Sequence, residues 1–231
     1  MPQQPLSVLI VDDSSAVRAA LTAIIKADQG LSLFGVAVDP FQAVELMRAN
    51  LPDVVLLDLE LPRMDGLAFL KRIMAQRPLP VVVCSSHTDT GSTSAMKALD
   101  LGAAEVLTKP RLDTPVARAE AAVRIGDALR AAVSSRAPSR KRVSVVPPGD
   151  KLSADVILPR LAPRTVPQTE PIVAIGASTG GTGALQTILT ALPATAPAIA
   201  IVQHMPEHFT RAFAQRLDSL CQIEVREASD G

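Results

Sequence analysis

Three carboxylates follow two apolar runs in the first half of the chain. Asp12 and Asp13 follow SVLIV (7–11), and Asp58 follows VVLL (54–57). If these runs are neighbouring strands of a parallel sheet, their carboxyl ends meet at one edge. Like charges so close favour an intervening cation, and carboxylates with a carbonyl and retained waters suit Mg²⁺. A lone Asp58 would instead be interpreted as a helix cap or turn residue.

Two further polar side chains are predicted at the same edge. PVVVCS (80–85) ends in Ser85, and AEVLT (104–108) is followed by Lys109. A hydroxyl and an ammonium group can hold a phosphoryl group on Asp58 through charge-assisted hydrogen bonds. Four strand ends in this order therefore predict a phosphate-accepting site.

A serine turn is the second candidate site. IGASTGG (175–181) matches the G-x-S-x-G nucleophile pattern between a predicted strand and helix, whereas the dinucleotide pattern G-x-G-x-x-G is absent. Alone, such a glycine-rich turn more often binds phosphate. The next predicted strand, AIAIVQH (198–204), ends in His204, which parallel pairing would bring close to Ser178 as a general base.

The elements that position the first site alternate between short apolar runs and amphipathic segments. This alternation predicts a parallel sheet covered by helices on both faces, with the flavodoxin-like strand order 2-1-3-4-5. Ser14 and Asp39 are candidate helix caps. The predicted strands are 7–11, 31–38, 54–58, 80–85 and 104–108, and the predicted helices are 14–27, 39–50, 67–76, 94–101 and 115–134.

The composition changes after this α/β unit. We predict a first domain at 1–134, a proline-rich basic linker at 135–170 and the first part of a doubly wound α/β domain at 171–231. In the last segment the predicted strands are 171–178, 198–204 and 222–228, and the predicted helices are 183–192 and 209–220.

The overall composition argues against several classes of protein. The 231 residues include no Trp and no Tyr, so platforms that stack single-stranded nucleic acid are not expected. A net charge of zero argues against a generally basic nucleic-acid binder. We find neither a signal peptide nor a run of the ~20 apolar residues that span a bilayer. We expect a soluble cytoplasmic protein that does not insert into a membrane.

Residues 6–130 resemble the receiver domain of response regulators. The resemblance implies that Asp58 accepts a phosphoryl group from the histidine of a sensor kinase. It also implies that Mg²⁺ is bound by Asp13, the Asp58 carboxylate and the Glu60 carbonyl, with Asp12 assisting through water.

The same resemblance assigns the remaining residues of this edge. Lys109 contacts the phosphate, Ser85 is the switch hydroxyl, and the Lys109–Pro110 bond is expected to be cis. One position departs from the pattern, because Val106 stands where many receivers have an aromatic residue. An aromatic rotamer switch is therefore not expected.

The whole motif order resembles the chemotaxis-specific protein-glutamate methylesterases of the CheB type. The motifs are the receiver, the linker, IGASTGG, QHMPEHFT and SLCQIEVREASDG. The resemblance implies hydrolysis of glutamate γ-methyl esters on chemoreceptors, and deamidation of certain glutamines, without a cofactor. Ser178 would attack the ester, His204 would be the general base, and Thr179 would help to stabilise the oxyanion. Phosphorylation of Asp58 would relieve blockage of the esterase by the receiver.

One member of the family's triad has no counterpart here. The family's third catalytic residue is an Asp that lies beyond position 231, so we expect a carboxyl-truncated chain with little esterase activity. Asp218, within a predicted helix, and Asp230, at the end, are not expected to replace it. The alternative is a phosphate-accepting receiver or binding module whose hydrolase remnant does no chemistry. A DNA-binding regulator is disfavoured, because the pattern after residue 171 offers no helix-turn-helix.

Overall fold

The structure is a computed structural model, and it describes residues 4–61, 64–85, 89–110, 114–136 and 172–229. The predicted linker lies outside these residues from position 137 onwards, and so does Asp230. The elements of the first unit are β1 (Leu6–Val11), α1 (Ser15–Ala27), β2 (Leu31–Ala37), α2 (Pro40–Leu46), β3 (Val54–Asp58), α3 (Gly66–Gln76), β4 (Val81–Ser85), α4 (Asp89–Asp100), β5 (Glu105–Thr108) and α5 (Pro115–Arg136). The second unit contains β6 (Val173–Ala177), α6 (Gly181–Thr190), β7 (Ile199–Gln203) and α7 (Glu207–Leu220).

The first five strands form one parallel sheet in the order β2-β1-β3-β4-β5. This confirms the predicted flavodoxin-like order. The strand order places β1 directly beside β3, so the Asp residues that follow β1 lie next to the end of β3. β2 is added on one side of β1, and the later strands are added on the other side, beginning with β3. Ligands of open α/β sheets bind where the direction of strand addition changes in this way.

Alternation along the strands divides the core into two layers. Val8 and Ile10 of β1 pack with α1 and α5, whereas Leu9 and Val11 pack on the opposite face with α3 and α4. Successive side chains of a strand point to opposite faces, so an uninterrupted apolar strand must be covered on both. All five residues of β3 are buried, which confirms the prediction for this run. Burying each large apolar side chain contributes about 1.5–3 kcal/mol.

The second unit is a two-stranded parallel sheet covered on one face. β6 pairs with β7, and α6 and α7 bury Leu185, Leu189, Phe209 and Phe213 in the apolar cluster that also includes α3 and α4. The opposite face of this sheet is exposed, and Val202 retains 76% of its accessible surface.

Helix ends follow local chemistry. The Ser14 hydroxyl accepts a hydrogen bond from the Val17 N–H, and the Asp39 carboxylate accepts one from the Gln42 N–H, which confirms both predicted caps. α2 ends at Leu46, where the Arg48 N–H donates to the Glu45 carbonyl in a tighter turn, rather than near Asn50. Among the described helices, none has the length and apolar character required to cross a membrane.

Two expectations are wrong. Residues 222–228 form no strand: the Val225 N–H donates to Asp218 Oδ1 of α7, and Glu227 contacts Thr210 and Arg211. These bonds hold the segment along α7, where its backbone has no strand partner. The Lys109–Pro110 bond is trans, since the described residues contain no cis peptide. An X–Pro bond prefers trans by about 0.5–1 kcal/mol in the absence of opposing contacts.

Gly66 allows α3 to start directly against the end of β3. A Cβ atom at this position would lie 2.6 Å from the Leu59 Cα and 2.7 Å from the Asp58 carbonyl oxygen. These neighbours are backbone atoms, so no side chain can move aside. We expect Gly66→Ala to lower the free energy of unfolding, measured by urea denaturation, by about 2 kcal/mol.

Gly183→Ala is the control for this substitution. A Cβ atom at Gly183, in α6, meets no atom within 4 Å. Because Ala favours the helix over Gly, we expect a gain of up to about 1 kcal/mol there. If Gly66→Ala unfolds at the wild-type urea concentration, the close approach of α3 to β3 is not as described.

Candidate functional site

The three predicted carboxylates lie together at the carboxyl edge of the first sheet. One oxygen each from Asp12, Asp13 and Asp58 lies within 4.8 Å of the other two. Asp12 and Asp58 are buried and Asp13 is exposed, so the cluster opens to solvent on one side. This arrangement results from the pairing of β1 with β3, whose last residue is Asp58.

One buried oxygen of the cluster lacks a hydrogen-bond partner. Asp12 Oδ1 accepts the Ser14 N–H at 2.8 Å, but Asp12 Oδ2 has no such partner. Burial raises the pKa of the Asp12 carboxyl above its usual value, against the effect of the Ser14 hydrogen bond, and the charges of Asp58 and Asp13 add to the rise. A buried oxygen that accepts no hydrogen bond, among other oxygen donors, fits a hard divalent cation such as Mg²⁺.

Lys109 provides the positive charge of the site. Its Nζ atom lies 2.7 Å from Asp58 Oδ2 and 3.9 Å from Asp12 Oδ2. Burial opposes the charged ammonium, but the hydrogen bond and charge of Asp58 outweigh it, so the pKa of Lys109 is raised. Lys109 is therefore a cation held beside the Oδ2 atom of Asp58.

Ser85 and Glu60 complete the predicted set. Ser85 is fully buried at the end of β4, and its carbonyl oxygen accepts the Lys109 N–H at 2.9 Å. The Glu60 N–H donates to Asp58 Oδ1 at 3.0 Å. The structure thus brings Ser85, Glu60 and Lys109 to the same edge as the carboxylates.

The serine turn lies between β6 and α6. The Ser178 carbonyl accepts the Gly181 N–H at 2.7 Å, and Gly180, with φ 74° and ψ −2°, has the dihedrals of position i+2 in a type II turn. Glycine adopts this positive φ without steric cost. Ser178 and Thr179 are both exposed at the amino end of α6, where the helix dipole favours negative charge.

His204 lies at the end of the neighbouring strand. Its N–H donates to the Ala177 carbonyl at 2.9 Å, so parallel pairing puts His204 beside Ser178 along the sheet edge. No hydrogen bond joins the Ser178 hydroxyl to the His204 imidazole in the described part of the chain. Nor does a carboxylate of the described residues contact that imidazole.

Gln203 was not identified from the sequence. Its Nε2 atom lies 2.9 Å from the Ser178 carbonyl oxygen and 3.2 Å from the His204 carbonyl oxygen. The sequence feature that points to it is the alternation along β7, which places the polar residue 203 on the same face as the half-buried Ile199 and Ile201. Such a side chain in a strand needs hydrogen-bond partners beneath it.

Glu105 was missed as well. This buried carboxylate, at the start of β5, accepts the Gly180 N–H at 2.6 Å and so connects the receiver-like sheet to the serine turn. Burial raises the pKa of Glu105, while the Gly180 hydrogen bond and the charge of Arg124 oppose the rise. The sequence signal was a single charge in the apolar run AEVLT, which the pattern alone assigns to no partner.

An arginine joins the two units a short distance away. Arg216 of α7 donates from Nε to Asp100 Oδ1 of α4 at 2.7 Å, and from Nη1 to Gln186 Oε1 of α6 at 3.0 Å. Only 9% of its side chain is exposed. The Asp100 side chain remains 56% exposed, so solvent screens this ion pair in part.

Two family models match the chain in succession. The model of the response regulator receiver domain matches residues 8–119, and the model of the CheB methylesterase matches residues 173–231. A solved structure, the response regulator domain of Thermotoga maritima CheB, is similar with a TM-score of 0.50 and 33% identity. That similarity covers 57% of this chain and 98% of the Thermotoga chain.

Relatives from other bacteria match nearly the whole chain. A protein-glutamate methylesterase/protein-glutamine glutaminase of the group 3 operon of Cereibacter sphaeroides is 57% identical over 224 residues, 96% of this chain and 61% of the relative. Protein-glutamate methylesterase/protein-glutamine glutaminase 2 of Oleidesulfovibrio alaskensis is 53% identical over 229 residues, 98% of this chain and 64% of the relative. This chain spans about three fifths of the length of these relatives.

Asp12→Asn is expected to stabilise the metal-free protein at neutral pH. The pKa of Asp12 is higher in the folded than in the unfolded chain, so the folded state binds this proton more tightly. Stability therefore falls as the pH rises through the interval above 3.8, and the penalty is complete above the folded pKa. In urea unfolding, the advantage of the variant should be present at about pH 7 and vanish at about pH 3.

Mg²⁺ is expected to make the wild type more stable than Asp12→Asn. At about 100 times its Kd, bound Mg²⁺ stabilises the wild type by about 2.7 kcal/mol, and Asp12→Asn should gain much less. Unfolding is compared in EDTA and in Mg²⁺, with Glu45→Gln as the control because Glu45 is exposed and outside the cluster. Equal stabilisation of Asp12→Asn and wild type would rule out a contribution of Asp12 to the cation site.

Proposed function

Because the chain belongs to the CheB-type family of response regulator methylesterases, we propose that it is a phosphorylation-regulated chemotaxis methylesterase. Its substrates are glutamate γ-methyl esters on chemoreceptors, and it also deamidates certain receptor glutamines. The proposal rests chiefly on one observation: a carboxylate cluster with Lys109 occurs in the same chain as a serine turn beside His204.

The proposal divides the chain into three parts. Residues 1–134 are the receiver, 135–170 the linker, and 171–231 the first part of the methylesterase domain. The receiver takes its phosphoryl group from a chemotaxis sensor histidine kinase, and the protein acts in the cytoplasm on methylated receptors. Neither nucleic acid nor membrane insertion is part of this function.

In the first reaction Asp58 accepts a phosphoryl group. A carboxylate oxygen of Asp58 attacks phosphorus, the P–N bond to the kinase histidine breaks, and the imidazole leaves with a proton. Lys109, held 2.7 Å from Asp58 Oδ2, pairs with a phosphoryl oxygen, and the Ser85 hydroxyl donates to another. Asp13, Asp58 and the Glu60 carbonyl would hold Mg²⁺, with Asp12 assisting through water, and the ion would supply positive charge beside the transferring group.

In the second reaction Ser178 is the nucleophile. Its Oγ attacks the ester carbonyl carbon while His204 takes the hydroxyl proton, and the proton then passes to the departing methanol. Water, activated by the same imidazole, hydrolyses the glutamyl-serine ester and restores Ser178. Thr179 and the amino end of α6 stabilise the oxyanion. With a glutamine substrate the leaving group is ammonia.

Contacts between the two units support regulation by phosphorylation. Glu105 accepts the Gly180 N–H of the serine turn, and Arg216 pairs with Asp100 of α4. Glu105 begins β5, and Lys109 directly follows the same strand. A phosphoryl group that draws Lys109 away from its present position therefore acts on the strand that contacts the turn. In this proposal the receiver blocks the esterase site, and phosphorylation of Asp58 relieves that blockage.

A second candidate function is a phosphate-accepting binding module whose hydrolase part does no chemistry. Two observations favour it: Ser178 and His204 are not hydrogen bonded to each other, and no described carboxylate orients His204. Loss of an orienting Asp costs on the order of 10⁴ in turnover in serine proteases. The two candidates therefore differ in whether this serine turn hydrolyses esters.

The test compares the 231-residue chain with a chimaera in which the Cereibacter sphaeroides relative supplies the sequence that follows. Methanol release from methylated chemoreceptor is measured with and without acetyl phosphate and Mg²⁺. We expect the chimaera to be active and stimulated at least about fivefold by phosphorylation. The 231-residue chain should be slow, because no carboxylate of the described residues contacts the His204 imidazole.

Variants of the chimaera separate the assigned roles. Ser178→Ala and His204→Ala should lose hydrolysis, and Asp58→Asn should lose the stimulation together with the incorporated phosphate. Hydrolysis by Ser178→Ala, or stimulation of Asp58→Asn, would refute the corresponding assignment. Equal rates from the chimaera and the 231-residue chain would require a different acid partner for His204.

A further inference from the structure

We propose that Gln203 is a positioning residue that fixes the spacing between the nucleophile and the base by bonding the backbone of both. It deepens the proposed function, since it assumes that Ser178 and His204 react, but its structural part can be tested without that reaction. The residue itself does not touch the substrate.

The carboxamide of Gln203 joins two segments that are distant in sequence. It donates one N–H to the Ser178 carbonyl at 2.9 Å and the other to the His204 carbonyl at 3.2 Å. The Ser178 carbonyl also accepts the Gly181 N–H, so both of its lone pairs are used. The peptide plane after Ser178 is thus held from the helix side and from the strand side.

The orientation of this amide follows from its surroundings. Two carbonyl oxygens face Nε2, so a reversed amide would place an oxygen against two oxygens. The buried Oε1 atom has no hydrogen-bond partner and lies over Gly181. A Cβ atom at Gly181 would lie 2.1 Å from Oε1 and 2.8 Å from the Ala177 Cβ, so glycine at 181 leaves room for the Gln203 side chain in this position.

Fixed carbonyls matter because Ser178 and His204 have no direct bond to each other. Both side chains are exposed, and their separation therefore depends on the backbones that bear them. One link between those backbones is the Ala177–His204 strand hydrogen bond, and among the described residues Gln203 adds the only side-chain link. A displacement of about 1 Å between reacting groups can cost on the order of 10²-fold in rate.

Two substitutions remove the donors and retain the length of the side chain. Gln203→Met deletes both N–H groups but still fills the space above Gly181. Gln203→Glu presents a carboxylate to the two carbonyls at neutral pH, and a single O–H donor once it is protonated. The controls are Gln222→Met and Gln222→Glu, since Gln222 is an exposed glutamine in the segment after α7.

The first measurement follows backbone order in the full 231-residue chain. Amide hydrogen exchange of Gly180 and Gly181 should accelerate at least about threefold in Gln203→Met, as expected for loss of a hydrogen bond of ordinary strength. The Gln222 variants should exchange as the wild type does. Unchanged exchange in Gln203→Met would overturn the proposal, whatever the outcome of the esterase assay.

The second measurement is ester hydrolysis by the chimaera that carries the complete esterase domain. We expect kcat to fall on the order of 10²-fold in Gln203→Met with KM little changed, because substrate contacts remain. The kcat of Gln203→Glu, divided by the wild-type kcat at the same pH, should rise as the pH falls. The same ratio for Gln203→Met should stay constant.

The outcomes separate this proposal from the proposed function. A wild-type chimaera without hydrolytic activity contradicts the esterase function, while the exchange experiment still decides the structural role. A wild type that hydrolyses the ester, with Gln203→Met equally fast, contradicts the positioning role alone. If Gln203→Met does not fold, a Gln203→Glu to wild-type rate ratio that stays constant with pH would also overturn it.

Discussion

The structure depends on the repulsion among three carboxylates at one end of a parallel sheet. Asp12, Asp13 and Asp58 place oxygens within 4.8 Å of one another, and two of these residues are buried. Such a cluster destabilises the folded chain unless positive charge compensates it. Lys109 supplies one positive charge, and Asp12 Oδ2, which accepts no hydrogen bond, marks where a second cation would bind. The cluster is therefore suited to respond to a cation and a phosphoryl group.

The rest of the first unit holds these groups at the same edge. The pairing of β1 with β3 and of β4 with β5 brings four strand ends together, and apolar layers on both faces make their register costly to change. Gly66 lets α3 start within contact of the Asp58 backbone. At the opposite end of β5 from Lys109, Glu105 contacts the serine turn, so one strand connects both candidate sites. Under the proposed regulation, a charge change at Asp58 reaches the serine turn through this strand.

The sequence predicted what depends on local patterns. The alternation of apolar runs with amphipathic segments predicted a five-stranded parallel sheet with the flavodoxin-like strand order. The side-chain chemistry of Ser14 and Asp39 predicted the two helix caps. The predicted strand at 222–228 failed because a strand pattern does not say whether a partner edge lies nearby, and this segment bonds to α7 instead. Gln203 and Glu105 were missed because their partners are backbone groups, and those leave no trace in residue identity.

The proposed regulation requires that phosphorylation at the receiver edge releases the Gly180 N–H from Glu105, while the Gln203 contacts to the serine turn remain. Amide hydrogen exchange across residues 178–182 of the full chain, with Mg²⁺ and before and after stoichiometric phosphorylation by acetyl phosphate, tests it most directly. Loss of the Glu105 contact predicts faster exchange at Gly180 after phosphorylation, and no change in Asp58→Asn treated in the same way. Unchanged exchange at Gly180 in the fully phosphorylated wild type would contradict the account.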